Sequence, residues 1–320
     1  MLAYRSITTA VLRVLSSRAL RVGFVVVAAA LGVVAIAREW DGINQAMVQL
    51  HPPVLGAALL VVLASLFTSM VLWRLLLAGL GSPLPYRVAA RVLYVGQLGK
   101  YIPGTVWPMV AQMELGRDHG VPRRRSVTVF VLLMLYTFAS GLVVATGTLP
   151  LAGGTAPPAF RWAFALTPLV VVLLHPKVLN PLLDRLLRLV KRPALETPLT
   201  LAVSARAAAA GVTQWLIYGL HVWILGVALG ADPAALAPLA IGGFALAWCI
   251  GYLGVITPAG LGVREVALVA ILLPVLDRAD AIVVALASRV LITVADLLLA
   301  GAGTLSMRTI RPPVDEAPVR

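Results

Sequence analysis

The sequence predicts an all-α polytopic membrane protein, with about six full spans and two oppositely oriented re-entrant helical hairpins that form an inverted repeat. Sixty per cent of its 320 residues are hydrophobic and only 12% are charged, and the mean hydropathy of +0.96 lies far from that of a soluble domain. The basic residues fall in short segments between apolar runs, which is the positive-inside pattern. A shared glycine and proline frame in two interrupted apolar segments predicts the hairpins.

Six apolar segments meet or approach the roughly 20 residues that a spanning helix needs. They are residues 22–37, 54–80, 126–150, 160–175, 203–229 and 281–306. The end of the first segment resembles a signal-peptidase site, but the residues before it are long for a signal peptide. We therefore interpret this segment as a span that stays in the membrane.

Basic residues give the spans an orientation. The tails and the basic segments at residues 87–91, 123–125 and 177–192 are expected on the cytoplasmic side, and the loops at residues 39–51, 151–159, 230–233 and 277–280 on the outside. A single transmembrane domain (residues 22–308) then lies between a cytoplasmic N-terminal tail (1–21) and a cytoplasmic C-terminal tail (309–320). Its two repeats cover about 22–150 and 160–308.

The charge balance argues for membrane topology and against a nucleic-acid partner. The net charge is +13, but it is distributed among the loops between spans. Cys249 is the only cysteine, so neither an intrachain disulfide nor a cysteine-based metal site can form. We expect no cofactor and no metal.

Residues 86–120 and 235–274 each begin and end beside loops that are assigned to the same side of the membrane. Both contain the frame Gly-x-Leu-Gly followed by a proline, as "GQLGKYIP" at 96–103 and "GYLGVITP" at 251–258. Proline interrupts a helix and glycine lets the chain reverse. Two such segments of opposite orientation predict an inverted-topology repeat.

The hairpin tips are the predicted functional site. A new helix should begin near Thr105 and near Gly262, and free N–H groups at helix N-termini bind anions, phosphates especially. Lys100 and Arg264 adjoin the two tips, so both could neutralise a phosphate-sized anion near the middle of the membrane. The candidate substrate-binding residues are Lys100, Tyr101, Pro103, Gly104, Thr105, Trp107, Thr257, Gly260, Gly262 and Arg264.

Four further charged residues are candidates for ion pairing or proton coupling: Glu265, Arg289, Asp296 and Glu114. Charges inside a membrane are costly and usually functional. We expect Arg264 to pair with Asp296, Glu265 with Arg289, and Glu114 with Arg117. A purely structural alternative remains open, in which the glycines serve close helix packing, Lys100 extends to the surface and Arg264 with Glu265 forms a surface ion pair. Trp73 with Arg74 is interpreted as an interfacial anchor.

Three stretches carry a family resemblance: "LGKYIPGTVWP", "TPAGLGVREVAL" and "ALASRVLITVADLLLAG". Together they resemble the transmembrane domain of the lysylphosphatidylglycerol synthase family of flippase-like integral membrane proteins, over roughly residues 20–308. The resemblance implies a lipid translocase fold in a bacterial cytoplasmic membrane. The positions that match the family's motifs are Pro103, Gly104, Gly260, Gly262, Arg264, Glu265 and Arg289.

The sequence departs from the family pattern in two places. Members often carry a Glu-Arg pair on the helix after the first hairpin, where this chain reads "VLLMLYTF" and offers Tyr136 and Thr137. No segment is long or polar enough for the cytosolic aminoacyl-transfer domain of the full-length synthases. We therefore do not expect lysyl transfer.

These patterns favour a flippase that moves an anionic lipid headgroup, whether of a phospholipid, an aminoacyl-phospholipid or a polyprenyl-phosphate glycolipid. The expected partner is a membrane lipid with a phosphate headgroup. The sequence is also compatible with a homo-oligomer. A secondary transporter of a small anionic solute and an accessory subunit of an envelope-synthesis enzyme are the alternatives. A lipid transferase needs a nucleophile, an acid/base pair or a metal cluster, and the scattered His and acidic residues show no such grouping. We therefore expect no enzymatic activity.

Overall fold

The fold is a helical bundle with enough apolar helices for several membrane crossings. A computed structural model describes residues 40–102, 106–153, 162–189, 197–253 and 262–308. All regular elements in these ranges are helices, which confirms the predicted class. Five of the described helices are long and apolar enough to cross a membrane, or six if one bent pair counts as a single span. The predicted span at residues 22–37 and both tails lie outside the described ranges.

The described α-helices are numbered in chain order. They are α1 (Trp40–Gln49), α2 (Pro52–Gly79), α3 (Tyr86–Ala90), α4 (Trp107–Arg117), α5 (Arg123–Thr148), α6 (Trp162–Leu173), α7 (Pro176–Leu189), α8 (Leu201–Ala228), α9 (Pro233–Pro238), α10 (Phe244–Leu253), α11 (Val263–Leu272) and α12 (Arg278–Arg308). Short π-helical segments at Arg91–Val95 and Leu239–Gly243 extend α3 and α9, and 3₁₀ turns lie at Leu98–Tyr101 and Leu149–Ala152.

Two segments that lie between the predicted spans are helices. The predicted outer loop at residues 39–51 contains α1, which buries Ile43 and Ala46. Gly42 lets this helix approach α12, because a Cβ built on it would lie 2.7 Å from the Cβ of Ala279. The predicted basic segment at residues 177–192 contains α7. Both helices contain polar residues, and each is fixed to the bundle by apolar residues that it buries on one face.

Helices α2, α5 and α8 pack closely through small residues. Ser65 of α2 donates to the backbone carbonyl of Gln214 in α8 at 3.2 Å. Gly141 lets the Trp215 indole of α8 lie close to α5, because a Cβ built on Gly141 would lie 3.2 Å from the indole Nε1. Small residues allow this close approach where lipid offers no hydrophobic drive between helices. Trp73 lies fully buried in this core, so its interpretation as an interfacial anchor is wrong.

The segment at residues 86–117 is a helical hairpin with two antiparallel arms. A Cβ built on Gly96 would lie 2.5 Å from the Cγ of Gln112, and one built on Gly99 would lie 2.7 Å from the backbone nitrogen of Pro108. Residues further along the first arm therefore meet residues earlier on the second. The tip at residues 103–105 lies outside the described ranges.

The segment at residues 233–272 has the same arrangement. Gly251 faces Arg264, with a built Cβ 3.0 Å from its Cβ, and Gly243 faces Ile271. The arms are again antiparallel, and the tip at residues 254–261 lies outside the described ranges. The two arms differ in length: Pro233–Tyr252 is long and apolar enough to cross a membrane, whereas Val263–Leu272 has only ten residues. The membrane disposition of both hairpins stays a prediction.

Candidate ion network between the two hairpins

Helix α12 lies beside both hairpins and carries two charged residues seven positions apart, Arg289 and Asp296. This spacing places both side chains on one face, about 10 Å apart along the axis. Near its C-terminal end, Gly303 approaches the first hairpin, where a built Cβ would lie 3.2 Å from the Cα of Arg91. One continuous helix thus presents a cation and an anion to two different hairpins.

Asp296 is bound by the first hairpin. Lys100 Nζ lies 2.5 Å from its Oδ2, and the Tyr101 hydroxyl donates to the same oxygen at 2.7 Å. Only 6% of the Asp296 side chain is exposed, against 28% for Lys100. Both donors sit on the 3₁₀ turn just before the tip. We call Lys100, Tyr101 and Asp296 the Asp296 cluster.

Glu265 is the centre of a second group, which we call the Glu265 cluster, formed with Gly262, Arg264 and Arg289. The Arg264 guanidinium donates to Glu265 Oε1 from Nη2 at 2.8 Å and from Nε at 3.1 Å. Arg289 Nη1 donates to the same oxygen at 3.5 Å. The other oxygen, Oε2, accepts the backbone N–H of Gly262 at 2.8 Å. The Glu265 side chain therefore accepts a hydrogen bond from one of the free backbone N–H groups at the start of its own helix, α11.

The backbone conformation at position 262 requires a glycine. Its φ of +83° lies in the region that L side chains rarely adopt, while a built Cβ would meet no atom within 4 Å. Glycine reaches this conformation without steric strain. The turn directs the Gly262 N–H to Glu265. This geometry explains why the residue three positions before Glu265 is a glycine.

The two clusters together contain three cationic side chains and two carboxylates among the described residues. Arg264 and Asp296 are almost fully buried, and each carboxylate holds at least one cation. Paired burial is what allows charged groups to persist away from water. The Arg264 guanidinium also lies 5.9 Å from the centre of the Phe244 ring, within range of a cation–π contact.

The predicted pairings are met in part. The pairs of Glu265 with Arg289 and of Glu114 with Arg117 are confirmed, at 3.5 and 3.4 Å. The pairing of Arg264 with Asp296 is wrong. Arg264 binds the adjacent Glu265, and the described partners of Asp296 are Lys100 and Tyr101.

The remaining candidates lie apart from the clusters or outside the described ranges. Glu114 also binds Arg123 at 3.0 Å and is 42% exposed, so it belongs to the end of the first hairpin that lies away from the tip. Trp107 begins α4 with 44% of its surface exposed. Five candidates fall on residues that the structure does not describe: Pro103, Gly104, Thr105, Thr257 and Gly260.

Sequence reasoning missed a buried hydrogen bond between the first hairpin and α2. The Trp73 indole donates to Gln112 Oε1 at 3.1 Å, and both side chains are buried. Gln112 is also the residue that Gly96 faces. An amide in an apolar helix opposite a glycine of the frame is the signal that could have indicated this contact.

The fold and the ion network define a multi-pass helical membrane protein whose charged groups join two hairpins inside the bundle. The family model for the lysylphosphatidylglycerol synthase TM region matches residues 19–300, and the chain belongs to this family. The sequence resemblance is thereby confirmed, and it relates the chain to lipid synthesis or translocation. A search of curated proteins gives no match.

Proposed function

We propose that the protein is a lipid translocase that moves an anionic headgroup across a bacterial cytoplasmic membrane and catalyses no covalent reaction. The observation that carries this proposal is the pair of carboxylate-centred clusters, each of which joins α12 to one of the hairpins. They concentrate cationic donors from both hairpins in one buried region. The cargo class comprises phospholipids, aminoacyl-phospholipids and polyprenyl-phosphate glycolipids, which share a phosphate.

The Glu265 carboxylate occupies the position that a phosphate would take. It accepts from a helix N-terminal N–H and from two arginines, and these are the donors that recognise phosphate groups. An incoming phosphate would replace this carboxylate on Arg264 and Arg289. In the empty protein the internal carboxylates keep the cations paired, which lowers the free-energy cost of their burial.

A lipid cargo is supported by the apolar surface beside the clusters. Val290, Val294 and Leu297 of α12 are exposed, and they follow the Arg289 and Asp296 face around the helix. Ile102 and Val106, on either side of the first tip, are also about half exposed. A headgroup could thus bind the charged groups while its acyl chains stay against apolar side chains in the bilayer.

Opposed re-entrant hairpins would bring the headgroup site near the middle of the membrane. The shared frame supports a repeat, because Gly96 and Gly251 each face the returning arm of their own hairpin. The distribution of basic residues favours a cytoplasmic position for the ends of the first hairpin and an outside position for those of the second. Inverted repeats of this type can open alternately to the two sides.

The test is a leaflet-sidedness assay in proteoliposomes with fluorescent lipids that are labelled on the hydrocarbon tail and keep their native headgroup. The panel contains phosphatidylglycerol, lysyl-phosphatidylglycerol and a polyprenyl-phosphate glycolipid, and dithionite bleaches the outer leaflet. We expect protein-dependent bleaching beyond the outer-leaflet fraction for at least one lipid. Arg264→Gln should slow it at least about tenfold, since hydrogen bonds to charged groups contribute about 1.5–3 kcal/mol.

The matched control is Arg278→Gln, which makes the same chemical change in an exposed arginine at the first position of α12. It should keep the native rate. Equal bleaching with and without protein for the whole panel would overturn the translocase proposal. Uptake of radiolabelled inorganic phosphate without lipid movement would instead identify a transporter of a soluble anion.

A further inference from the structure

The inner face of α7 fixes this helix against the bundle. Leu179 and Leu183, four residues apart, are buried. The Asn180 side chain donates to the Leu199 carbonyl at 2.9 Å and accepts the Leu199 N–H at 3.1 Å. The position of α7 is therefore set by packing and by two hydrogen bonds to the start of the next helix.

The outer surface of α7 is divided into an apolar and a basic face. Val178, Leu182 and Leu186, spaced four apart, are exposed and form the apolar face. Lys177, Arg185 and Arg188 are exposed on the basic face, which also contains Asp184. An exposed apolar stripe beside a basic stripe is typical of helices that lie in a membrane interface.

The direction of α7 agrees with an interfacial position. The helical segments Ala163–Leu173 and Pro176–Arg188 meet at an angle of 80°. The α6 sequence contains no charged residue, whereas α7 contains four among its 14 residues. Charged groups at that density are too costly for the hydrocarbon. A helix that turns by 80° where the charges begin runs along the membrane surface.

Contacts place α7 at the basic end of the bundle. Thr197, just before the start of α8, donates to the carbonyl of Leu80 at 3.1 Å. Arg125, in the arginine cluster that begins α5, donates to the neighbouring carbonyl of Gly81 at 2.8 Å. The turn after α2 thus joins the α7 side of the bundle to the arginines at residues 123–125.

We propose that α7 lies in the headgroup layer of the cytoplasmic leaflet and binds anionic phospholipids there, on a surface separate from the ion network. Its apolar face enters the upper acyl region, and its three basic residues bind lipid phosphates. Charge complementarity supports this occupant, since α7 has a formal net charge of +2 and cytoplasmic leaflets are negatively charged. This inference does not depend on lipid transport.

The test is a local quenching measurement on the full chain in nanodiscs. Cys249, the only cysteine, is buried and is replaced by serine, which can keep its contact with the Phe138 carbonyl. Leu186→Cys is then labelled with NBD. Doxyl-labelled phosphatidylglycerol should quench this probe more than doxyl-labelled phosphatidylcholine, with a local enrichment of at least about threefold. Each basic residue near an anionic surface contributes about 1 kcal/mol, or about fivefold.

Charge variants separate α7 from the rest of the surface. Adding Arg185→Gln with Arg188→Gln should bring the two quenching levels together, whereas Arg278→Gln should leave the enrichment unchanged. Arg278 begins α12, about 38 Å along the helix from Gly303, which lies beside Arg91 at the basic end. Quenching by aqueous iodide but not by doxyl lipids would overturn the proposal. So would equal quenching by the two lipids, or unchanged enrichment in the α7 variants.

Discussion

Lys100 and Asp296 lie in different halves of the sequence, and the Lys100 ammonium nitrogen is 2.5 Å from the Asp296 carboxylate. The ion pair joins the turn before the first hairpin tip to the last helix of the bundle. It is reinforced by Tyr101, whose hydroxyl donates to the same carboxylate oxygen. The first hairpin is therefore held by charge as well as by packing.

Removing the Asp296 charge should loosen the first hairpin. Asp296→Asn leaves Lys100 without its carboxylate, and we expect a loss of about 1–3 kcal/mol in the free energy of unfolding. Thermal unfolding in detergent measures it. Asp280→Asn, in the first turn of the same helix, is the control and should change stability by less than about 0.5 kcal/mol. An equal melting temperature for Asp296→Asn and native protein would contradict the pair.

Removing only the Tyr101 hydroxyl tests the hydrogen bond. Tyr101→Phe keeps the ring but loses the 2.7 Å bond to Asp296, so it should destabilise the protein by about 1–2 kcal/mol. In a double-mutant cycle with Asp296→Asn, the two effects should be non-additive. The control Tyr86→Phe keeps the ring that lies 4.1 Å from the Arg74 guanidinium and should be neutral. Additive effects of Tyr101→Phe and Asp296→Asn would argue against a shared bond.

A side chain at Gly262 should strain the start of α11. With φ at +83°, Gly262→Ala should cost about 1–2 kcal/mol of stability. The turn directs the Gly262 N–H to Glu265. Gly262→Ala should therefore also slow lipid movement in the proteoliposome assay. Gly56→Ala is the matched control: Gly56 lies in α2 with no atom within 4 Å of a built Cβ. Helix propensity predicts that this control is neutral or stabilising. Equal stability of both variants would refute the conformational argument.

A side chain at Gly96 should separate the arms of the first hairpin. Its Cβ would meet Gln112 at 2.5 Å, and overpacking of this kind typically costs about 1–3 kcal/mol. We expect Gly96→Ala to lower the melting temperature. Gly147→Ala, in α5 with open space around it, should not. If both variants melt like the native protein, the arms are not in close contact at Gly96.

Local sequence patterns predicted the elements that carry the site. The helix starts predicted near Thr105 and near Gly262 and the pair of Glu265 with Arg289 all follow from glycine, proline and charge patterns. In the structure α4 begins at Trp107 and α11 at Val263, close to the predicted positions. The family match at residues 19–300 covers both of these positions.

The partners of Asp296 were not predictable from the same patterns. Consecutive residues of a helix point about 100° apart, so Arg264 and Glu265 were expected to reach different partners. Instead Glu265 folds back to the helix N-terminus at Gly262, and the long Arg264 side chain follows it. Asp296 binds the first hairpin instead, about 200 positions earlier in the sequence. Which residues of that hairpin face Asp296 depends on how the hairpin packs against α12. Gly303 against Arg91 is one such contact.

The length of α12 makes it a mechanical link between the hairpins. A straight α-helix changes its axial length little under small forces because its backbone hydrogen bonds run along the axis. A shift of α12 that draws Arg289 away from Glu265 therefore also displaces Asp296 relative to Lys100, about two turns further on. An axial shift of this helix therefore moves the attachment points of both hairpins together.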